Sequence, residues 1–265
     1  MTITSRERAS GLSGILPDGF SQPYRAGELY PQPPYRYRGA ESLSLVYEAQ
    51  AAPIRTMLPP GVSIDAELAT VSLVASTYQR TPFGAYREFY FTVLVDFNGE
   101  KYMYSPVMYA DNEGAFAAGR ELWGFAKKTA VMDFRITSGQ WTFSATRHDG
   151  LPLIDLSVAC QATDLPAAAQ SVAHPTLTMK LIPGGSPGHP AVAQLIATHN
   201  KKAMHKDAFG DPDRWSGRAA VAIQAASATD SLTPFLPAGE CIGWYSHYDC
   251  DLPAGEVIWD YLTGK

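Results

Sequence analysis

The dipeptide Asn98-Gly99 lies between two runs of aromatic and β-branched residues, at 88–96 and 101–109. Asparagine and glycine readily adopt the positive φ angles of a tight primed turn, and the flanking residues are typical of strands. This segment is therefore predicted to be a β-hairpin. Because a hairpin pairs antiparallel neighbours, the chain is restricted to folds that contain an antiparallel sheet.

The same pattern of short strands and turns continues along the chain. Ser138-Gly139 predicts a second hairpin between 130–136 and 141–146. The remaining predictions are strands at 42–47, 68–78, 153–162, 177–182 and 218–225, a short helix at 51–58, and loops at 184–190 and 209–217.

One segment in the first half of the chain has a helical composition. Residues 112–123 are rich in Ala, Glu, Leu and Arg and follow Asp111, a good N-cap. Residues 1–37 are predicted to form an irregular arm, since from residue 11 prolines and tyrosines recur without periodicity. No composition break divides the chain, so we expect a single domain, 1–265, of the α+β class, mainly an antiparallel β-sheet or barrel with few helices.

Composition excludes several classes of protein. With 46% hydrophobic and 18% charged residues the chain can bury a sizeable core, and its net charge of −5 comes without any basic cluster beyond pairs. Nucleic acid is therefore not an expected partner. The apolar runs are too short to span a membrane, and no export signal is recognised. The spacing of Cys160, Cys241 and Cys250 matches neither a zinc site nor a disulfide framework, so we expect three buried thiols and a cytoplasmic protein.

The pair Lys127-Lys128 is the strongest candidate for chemistry. It follows an apolar stretch and leads into a predicted strand. An ammonium group in an apolar pocket is disfavoured by desolvation, and a second ammonium beside it adds repulsion, so such an arrangement favours a neutral amine that attacks carbonyl groups. A lone lysine pair is nevertheless most often a solvated surface feature, and the surrounding motif must decide.

The surrounding residues resemble the signature of the acetoacetate decarboxylase family in both order and spacing. An upstream Gly-x-Tyr-x-Glu segment resembles that of the family as well, and the likeness extends to most of the chain. The matching positions are Gly84, Tyr86 and Glu88, then 108–113, Ala115, Ala117, 119–122 and 125–128, with weaker matches at Pro34-Tyr35 and 256–262.

The resemblance implies a mainly antiparallel β-barrel or cone and a role for each of three residues. Lys127 is implied to be the Schiff-base nucleophile, Lys128 an electrostatic helper that points elsewhere, and Glu88 an acid/base or positioning carboxylate. A several-position motif is far more specific than a dipeptide. For Glu88 the alternative is a buried strand carboxylate paired with Arg87 or Arg120.

This chain also departs from the family pattern. Where the decarboxylases carry an arginine for the substrate carboxylate, the chain has Ala40, and Arg38, two residues away, is the candidate substitute. The stretch 71–74 has no counterpart of a second pocket glutamate, and Ala126 replaces the proline before the lysines. The resemblance thus implies that the Schiff base survives and that the decarboxylation pocket is altered.

These departures favour one reaction over another. Loss of carbon dioxide from a β-keto acid needs a held, desolvated carboxylate. The same iminium can instead lose a proton, and the resulting enamine of pyruvate can attack an aldehyde before water is eliminated. Family members that lack this arginine and glutamate resemble aldolase-dehydratases, so the resemblance implies a pyruvate aldolase-dehydratase. A β-keto acid decarboxylase is the alternative, and a non-catalytic small-molecule-binding barrel is the second alternative.

The proton shuttle and the pocket wall have further candidates. Tyr245 and Tyr248 lie in a predicted strand, and because strand side chains alternate, at most one of them should reach the pocket. Each could equally be an ordinary core aromatic. The apolar residues Met108, Trp123 and Phe125 of the motif are expected to contact the substrate.

No cofactor or metal is expected. The six histidines show no metal-ligand spacing, and the glycine-rich loop at 184–188 lacks the lysine and helix of a phosphate-binding loop. A lysine imine itself acts as the electron sink, which makes an organic cofactor unnecessary. The expected partners are a small keto acid and an aldehyde, with no nucleic acid and no membrane, and the family resemblance implies a homo-oligomer.

Overall fold

The computed structural model describes residues 20–23, 26–164, 166–169, 171–224 and 227–265, without the side chains of Cys160 and Ala168. Fourteen strands and two short α-helices make up most of this part of the chain. This content agrees with the predicted α+β class with few helices. None of its helices is long and apolar enough to cross a membrane.

The strands are β1 (Tyr35–Gln50), β2 (Leu68–Arg80), β3 (Tyr86–Phe97), β4 (Glu100–Ala110), β5 (Lys127–Thr129), β6 (Val131–Thr137), β7 (Gln140–Thr146), β8 (Pro152–Ala162), β9 (Thr176–Pro183), β10 (Pro190–Thr198), β11 (Lys201–Met204), β12 (Arg214–Ile223), β13 (Cys241–Leu252) and β14 (Glu256–Asp260). The helices are α1 (Ala51–Arg55) and α2 (Glu113–Ala118).

The strands form one sheet in the order β14-β10-β9-β4-β3-β2-β1-β13-β12-β8-β7-β6. β11 pairs with β13 and β5 pairs with β4 outside this path. All pairings are antiparallel except those of β4 with β5 and with β9. The prediction of a mainly antiparallel sheet is thus confirmed.

Both predicted hairpins are present. Asn98 and Gly99 have φ angles of 54° and 82°, and Ser138 and Gly139 have φ angles of 51° and 77°. Two successive positive φ angles are the signature of the primed turn, which matches the twist of the two strands that it joins. The turns connect β3 to β4 and β6 to β7.

The two faces of the sheet bury different side chains. On β3, Phe89, Phe91 and Val93 enter a large apolar core, whereas Glu88 and Tyr90 point to the other face. This alternation follows from the two-residue repeat of a strand. A second buried cluster on that other face is rich in tyrosine: Tyr30, Tyr35, Tyr37, Tyr78, Tyr86 and Tyr248.

The helix predicted after Asp111 is shorter than expected and has a different cap. The side-chain oxygen of Asn112 accepts the N–H of Ala115 at 2.9 Å, so Asn112 is the N-cap. Asp111 instead accepts a hydrogen bond from the backbone of β3. The α-helix ends at Ala118, and one π-helical turn, Gly119–Trp123, follows it.

Other segments also differ from the predictions. Of the arm at 1–37, residues 1–19, 24 and 25 lie outside the described part, and β1 already begins at Tyr35 because it pairs with the distant Leu252. The loop at 209–217 is wrong from Arg214 onward, where β12 pairs with β13. The sequence analysis also missed four strands, which are β5, β10, β11 and β14. β5 pairs with β4, β11 pairs with β13, and β10 pairs with both β9 and β14.

The expectation of buried cysteines is met at one described position. Cys250 is buried, and Cys241 is only partly buried. Burial raises the pKa of both thiols, which keeps them protonated and poorly reactive.

Candidate active site

Three contacts fix the position of Lys127, two of them on its backbone and one on its side chain. Its strand, β5, runs parallel to β4, with Lys127 beside Met108. The Arg120 guanidinium donates a hydrogen bond to the backbone carbonyl of Lys127 at 3.1 Å. Gly119 lies so close that a Cβ placed there would be 2.7 Å from Cε of Lys127. The lysine is therefore buried, with 5% of its surface exposed.

Glu88 is the charged partner of this amine. Lys127 Nζ lies 3.0 Å from Glu88 Oε2, and the hydroxyl of Tyr78 donates to Glu88 Oε1 at 2.8 Å. Neither arginine considered as a partner pairs with Glu88, since Arg87 contacts Asp111 and Arg120 contacts the backbone. The carboxylate can thus exchange a proton with the amine or with a molecule bound beside it.

A small cavity of about 60 Å³ opens next to this pair. At 10–15 Å³ for each water, the cavity has room for about four water molecules, which suits a small ligand. Its lining residues are Tyr37, Tyr78, Tyr86, Glu88, Tyr90, Met108, Phe125, Lys127, Thr176, Asn200, Lys202, Tyr248, Cys250 and Leu252.

Three tyrosines of the cavity, Tyr37, Tyr78 and Tyr86, are neutral hydrogen-bonding groups. Burial raises the pKa of Tyr37, Tyr78 and Tyr86, and the nearby charge of Glu88 raises it further. The hydroxyls of Tyr86 and Tyr37 are 3.3 Å apart, and that of Tyr86 is 3.5 Å from Glu88 Oε2. Nζ of Lys127 lies over the ring of Tyr86, 5.7 Å from its centre.

Lys128 occupies the opposite face of β5. Its Nζ lies 3.5 Å from the carboxylate of Asp230 and 5.7 Å from the centre of the Tyr109 ring, and it also donates to the carbonyl of Thr229. Adjacent side chains of a strand point to opposite faces, which explains the separation. The expectation of two adjoining ammonium groups is therefore not met, because the charge of Lys128 is balanced by Asp230.

Of the two candidate shuttle tyrosines, only Tyr248 lines the cavity. Its hydroxyl is 2.7 Å from Oγ of Ser42, which in turn is 2.7 Å from Oγ of Ser76. The side chain of Tyr245 points to the large apolar core, where its hydroxyl donates to Glu41 at 3.0 Å. Tyr245 is therefore not a pocket residue, whereas Tyr248 remains a candidate for the proton shuttle.

Two predicted substrate contacts lie outside the cavity. Arg38 is bound by Asp251 at 2.9 Å and by Asp249 at 3.6 Å, so its charge is already compensated. Trp123 is buried behind Phe125, with the two rings 6.3 Å apart. Among the predicted contacts, Phe125 and Met108 do line the cavity.

The positions that depart from the family pattern also face this region. Ala40 is fully buried and pairs with Tyr78 on one side and Tyr248 on the other. In the stretch 71–74, Ser72 and Val74 face a neighbouring cavity. Neither position brings a cation or a carboxylate to the pocket.

The sequence analysis missed the tyrosine walls and Lys202. Tyr86, Glu88 and Tyr90 alternate along β3, a signal that could have placed both tyrosines beside the glutamate. Lys202 carried no such signal, because it lies on the unpredicted β11, which pairs with β13. Its Nζ lies 4.6 Å from the centre of the Tyr248 ring.

The described residues contain no group of three or more His, Cys, Asp or Glu that is placed to hold a metal ion. The charged side chains that line the cavity are Glu88, Lys127 and Lys202. The arrangement is therefore suited to acid–base and amine chemistry on a small carbonyl compound.

Known proteins with this sequence pattern and fold are acetoacetate decarboxylases and their relatives. The family model for acetoacetate decarboxylase matches residues 21–262. Acetoacetate decarboxylase 2 of Mesorhizobium japonicum is 28% identical over 239 residues, which cover 88% of this chain and 86% of the relative. Acetoacetate decarboxylase of Clostridium beijerinckii is 28% identical over 246 residues, which cover 91% of this chain and 94% of the relative.

Solved structures agree with the family match. A structure of acetoacetate decarboxylase superposes with a TM-score of 0.80 at 26% identity and covers 94% of this chain and 98% of its own. The enduracididine biosynthesis enzyme MppR, in complex with the condensation product of pyruvate and imidazole 4-carboxaldehyde, has a TM-score of 0.73 at 19% identity, with coverages of 92% and 97%. The similarity to MppR, at 19% identity, shows a shared fold and nothing more. The chain belongs to the acetoacetate decarboxylase family.

Proposed function

We propose that this protein is a Schiff-base-forming lyase that acts on small keto acids through Lys127. The observation that carries the proposal is the buried contact between the Lys127 amine and Glu88 at the wall of a tyrosine-lined cavity. A buried amine beside a proton acceptor is the arrangement that imine formation requires. The match of the whole motif to a family of decarboxylases supports it.

Imine formation uses the amine and the carboxylate together. Lys127 passes a proton to Glu88 and attacks the keto carbon of the substrate. The carbinolamine then loses its oxygen as water, which takes up a proton from Glu88 or a cavity tyrosine, and the iminium remains. The neutral phenols of Tyr78 and Tyr86 orient Glu88 by hydrogen bonds and keep water away from its charge.

The leading reaction is the condensation of pyruvate with an aldehyde, followed by dehydration. Glu88 removes a proton from the methyl group of the pyruvate iminium, and the enamine carbon forms a bond to the aldehyde carbon. The new oxygen is protonated and leaves as water after a second proton is lost from the carbon. Hydrolysis returns the lysine and releases an unsaturated 2-oxo acid, so one water is produced overall.

Two features support condensation over decarboxylation. Ala40 and Ser72 provide neither the cation nor the second acid that would hold the carboxylate of a β-keto acid. Arg38 already forms ion pairs with Asp249 and Asp251. The fold itself accommodates such a product, since MppR holds the condensation product of pyruvate and an aldehyde.

Decarboxylation of a β-keto acid is the second candidate. The relatives named acetoacetate decarboxylase, at 28% identity over most of the chain, favour it. A non-catalytic binding barrel is the remaining alternative, and it would leave the amine unmodified.

The test begins with borohydride trapping. Wild-type protein incubated with pyruvate or acetoacetate and reduced should carry the substrate mass on Lys127, located by peptide mapping. Mapping is needed because burial also lowers the pKa of Lys180, which lies outside the cavity. Lys127→Ala should abolish the label and Lys128→Met should retain it. Protein that stays unmodified with several keto acids would support the binding barrel and overturn the proposal.

The second step separates the two reactions. Acetoacetate should release little carbon dioxide, whereas pyruvate with an aldehyde should give a conjugated 2-oxo acid that absorbs at longer wavelength. In D₂O, the pyruvate methyl group should exchange its protons, and Glu88→Gln should slow this exchange by about 10²-fold or more. Rapid release of carbon dioxide without condensation would establish the decarboxylase instead.

A further inference from the structure

A second, larger cavity adjoins the lysine cavity. It has a volume of about 580 Å³ and is half open to solvent. The two cavities share five lining residues, which are Tyr90, Thr176, Asn200, Lys202 and Tyr248. These shared residues form the boundary between the cavity beside Lys127 and the second cavity.

The inner wall of this cavity is lined with hydroxyl groups. Ser44 on β1, Ser72 on β2 and Thr92 on β3 are each less than 8% exposed and face the cavity side by side, because Ser72 pairs with Thr92 across the sheet. No hydrogen-bond partner of these hydroxyls is present among the described residues. These hydroxyls open onto the cavity, so a bound molecule with polar groups can form hydrogen bonds with them.

Two cationic side chains line the second cavity. Lys202 and Arg214 line it together with His174 and His199, whereas no Asp or Glu occurs among its described lining residues. Arg214 uses its Nε on the carbonyl of Thr163 at 3.3 Å, and neither cation has a carboxylate partner in the described residues. Two cations that have no carboxylate partner among the described residues, beside a wall of hydroxyl groups, favour an anionic group.

From these features we infer that the second cavity binds the acceptor aldehyde of the reaction proposed above, and that this aldehyde is hydroxylated and anionic. Its hydroxyls meet the serine and threonine wall, and its phosphate or carboxylate is held by Lys202 and Arg214. The aldehyde carbon then lies at the shared boundary, where the enamine carbon on Lys127 attacks it. This inference depends on the proposed function, because without an enamine the cavity has no acceptor to bind.

Matched pairs of aldehydes test the charge requirement. Erythrose 4-phosphate is compared with erythrose, and succinic semialdehyde with butanal, each with pyruvate, and the new carbon–carbon bond is detected by mass spectrometry. We expect kcat/KM to be about tenfold or more higher for one anionic member than for its neutral partner, the size of a charge-assisted contact. The phosphate and carboxylate arms identify which anion the cavity takes.

Variants locate the effect. Arg214→Met should remove the preference by raising KM for the anionic aldehyde, and should leave the trapping of pyruvate on Lys127 intact, because Arg214 lines only the second cavity. Lys202→Met should also raise KM for the anionic aldehyde. Lys201→Met is the matched control, since Lys201 is exposed and lines neither cavity. Ser72→Val should shift the preference toward butanal.

Two outcomes would overturn the inference in different ways. If pyruvate is trapped on Lys127 and the charged and neutral aldehydes react equally, or butanal reacts best, the second cavity is not an anionic acceptor site and the lysine chemistry stands. If no pyruvate is trapped, the proposed function fails, and the inference fails with it.

Discussion

At the scale of single residues, Gly119 packs against the side chain of Lys127. A Cβ at this position would lie 2.7 Å from Cε and 2.8 Å from Cδ of Lys127. These atoms belong to a flexible side chain, which can move aside at little cost to the fold. Gly119→Ala should therefore leave the thermal midpoint unchanged or raise it slightly, since alanine is favoured over glycine in a helical turn by about 0.5–1 kcal/mol. The amine, however, should be displaced from Glu88.

We expect Gly119→Ala to slow imine formation with pyruvate by about 10- to 100-fold, because displacements of about 1 Å have effects of this size. The measurement is the rate of borohydride-trapped adduct beside a thermal melt. Gly185→Ala is the control, since a Cβ there meets no atom within 4 Å. An unchanged trapping rate would show that Gly119 does not position the amine.

At the scale of elements, Asp230 joins segments that are far apart in the chain. Its buried carboxylate accepts the hydroxyl of Tyr109 on β4 at 2.7 Å and lies 3.5 Å from the ammonium of Lys128 on β5 and 3.5 Å from the guanidinium of Arg147 beyond β7. Burial opposes ionisation, but the hydrogen bonds from Tyr109 and Thr229 and the two cations outweigh it, so the pKa of Asp230 is lowered.

A carboxyl whose pKa is lower in the folded state stabilises the fold above its unfolded pKa of about 3.9, and this stabilisation is lost as the pH falls through the folded value. Asp230→Asn should therefore lower the free energy of unfolding at pH 7 by about 1–3 kcal/mol, and the difference from wild type should shrink below about pH 4. Urea unfolding at several pH values measures it. Asp133→Asn, in an exposed pair with Arg135, is the control and should change stability by less than about 1 kcal/mol. A difference at pH 2–3 as large as the difference at pH 7 would contradict the ionic explanation.

At the scale of the whole molecule, the tyrosine cluster makes the fold sensitive to alkali. Burial, followed by the charge of Glu88 or of neighbouring phenols, raises the pKa of Tyr37, Tyr78, Tyr86 and Tyr90. In the unfolded chain these phenols ionise near pH 10. Below pH 10 these phenols are neutral in both states, and their contribution to stability is fully present. Above pH 10 they ionise first in the unfolded chain, so each tyrosine lowers the free energy of unfolding by about 1.4 kcal/mol per pH unit.

Phenolate absorbance during an alkaline titration checks this expectation. Exposed tyrosines should ionise near pH 10 with the fold intact, and the buried set should ionise only together with loss of the near-ultraviolet circular dichroism. Above pH 10, the free energy of unfolding of Tyr78→Phe should fall with pH less steeply than that of wild type, by about 1.4 kcal/mol per pH unit. A single smooth titration near pH 10 that leaves the dichroism unchanged would disprove the buried cluster.

Much of the local structure is readable from the sequence. The positive φ angles at Asn98 and Gly99 depend on the residues themselves, so the first hairpin and its strands are predictable without the rest of the chain. The neighbourhood of Lys127 was recognised through a motif, and Lys127, Glu88 and Tyr248 do line one cavity. Their chemical roles stay predictions until the trapping experiment is done.

The sequence by itself determined the antiparallel hairpins and the motif around the lysine, because turns and strand alternation depend on residues that are close in the chain. Tertiary structure decided which side chains meet. Tyr248 rather than Tyr245 faces the pocket because β13 pairs with β1 in a register that sets Tyr248 beside Ala40, and a shift of one residue would exchange the two. Lys202 enters the site only through the pairing of β11 with β13. Such contacts depend on strand register, which follows from the packing of both faces of the whole sheet.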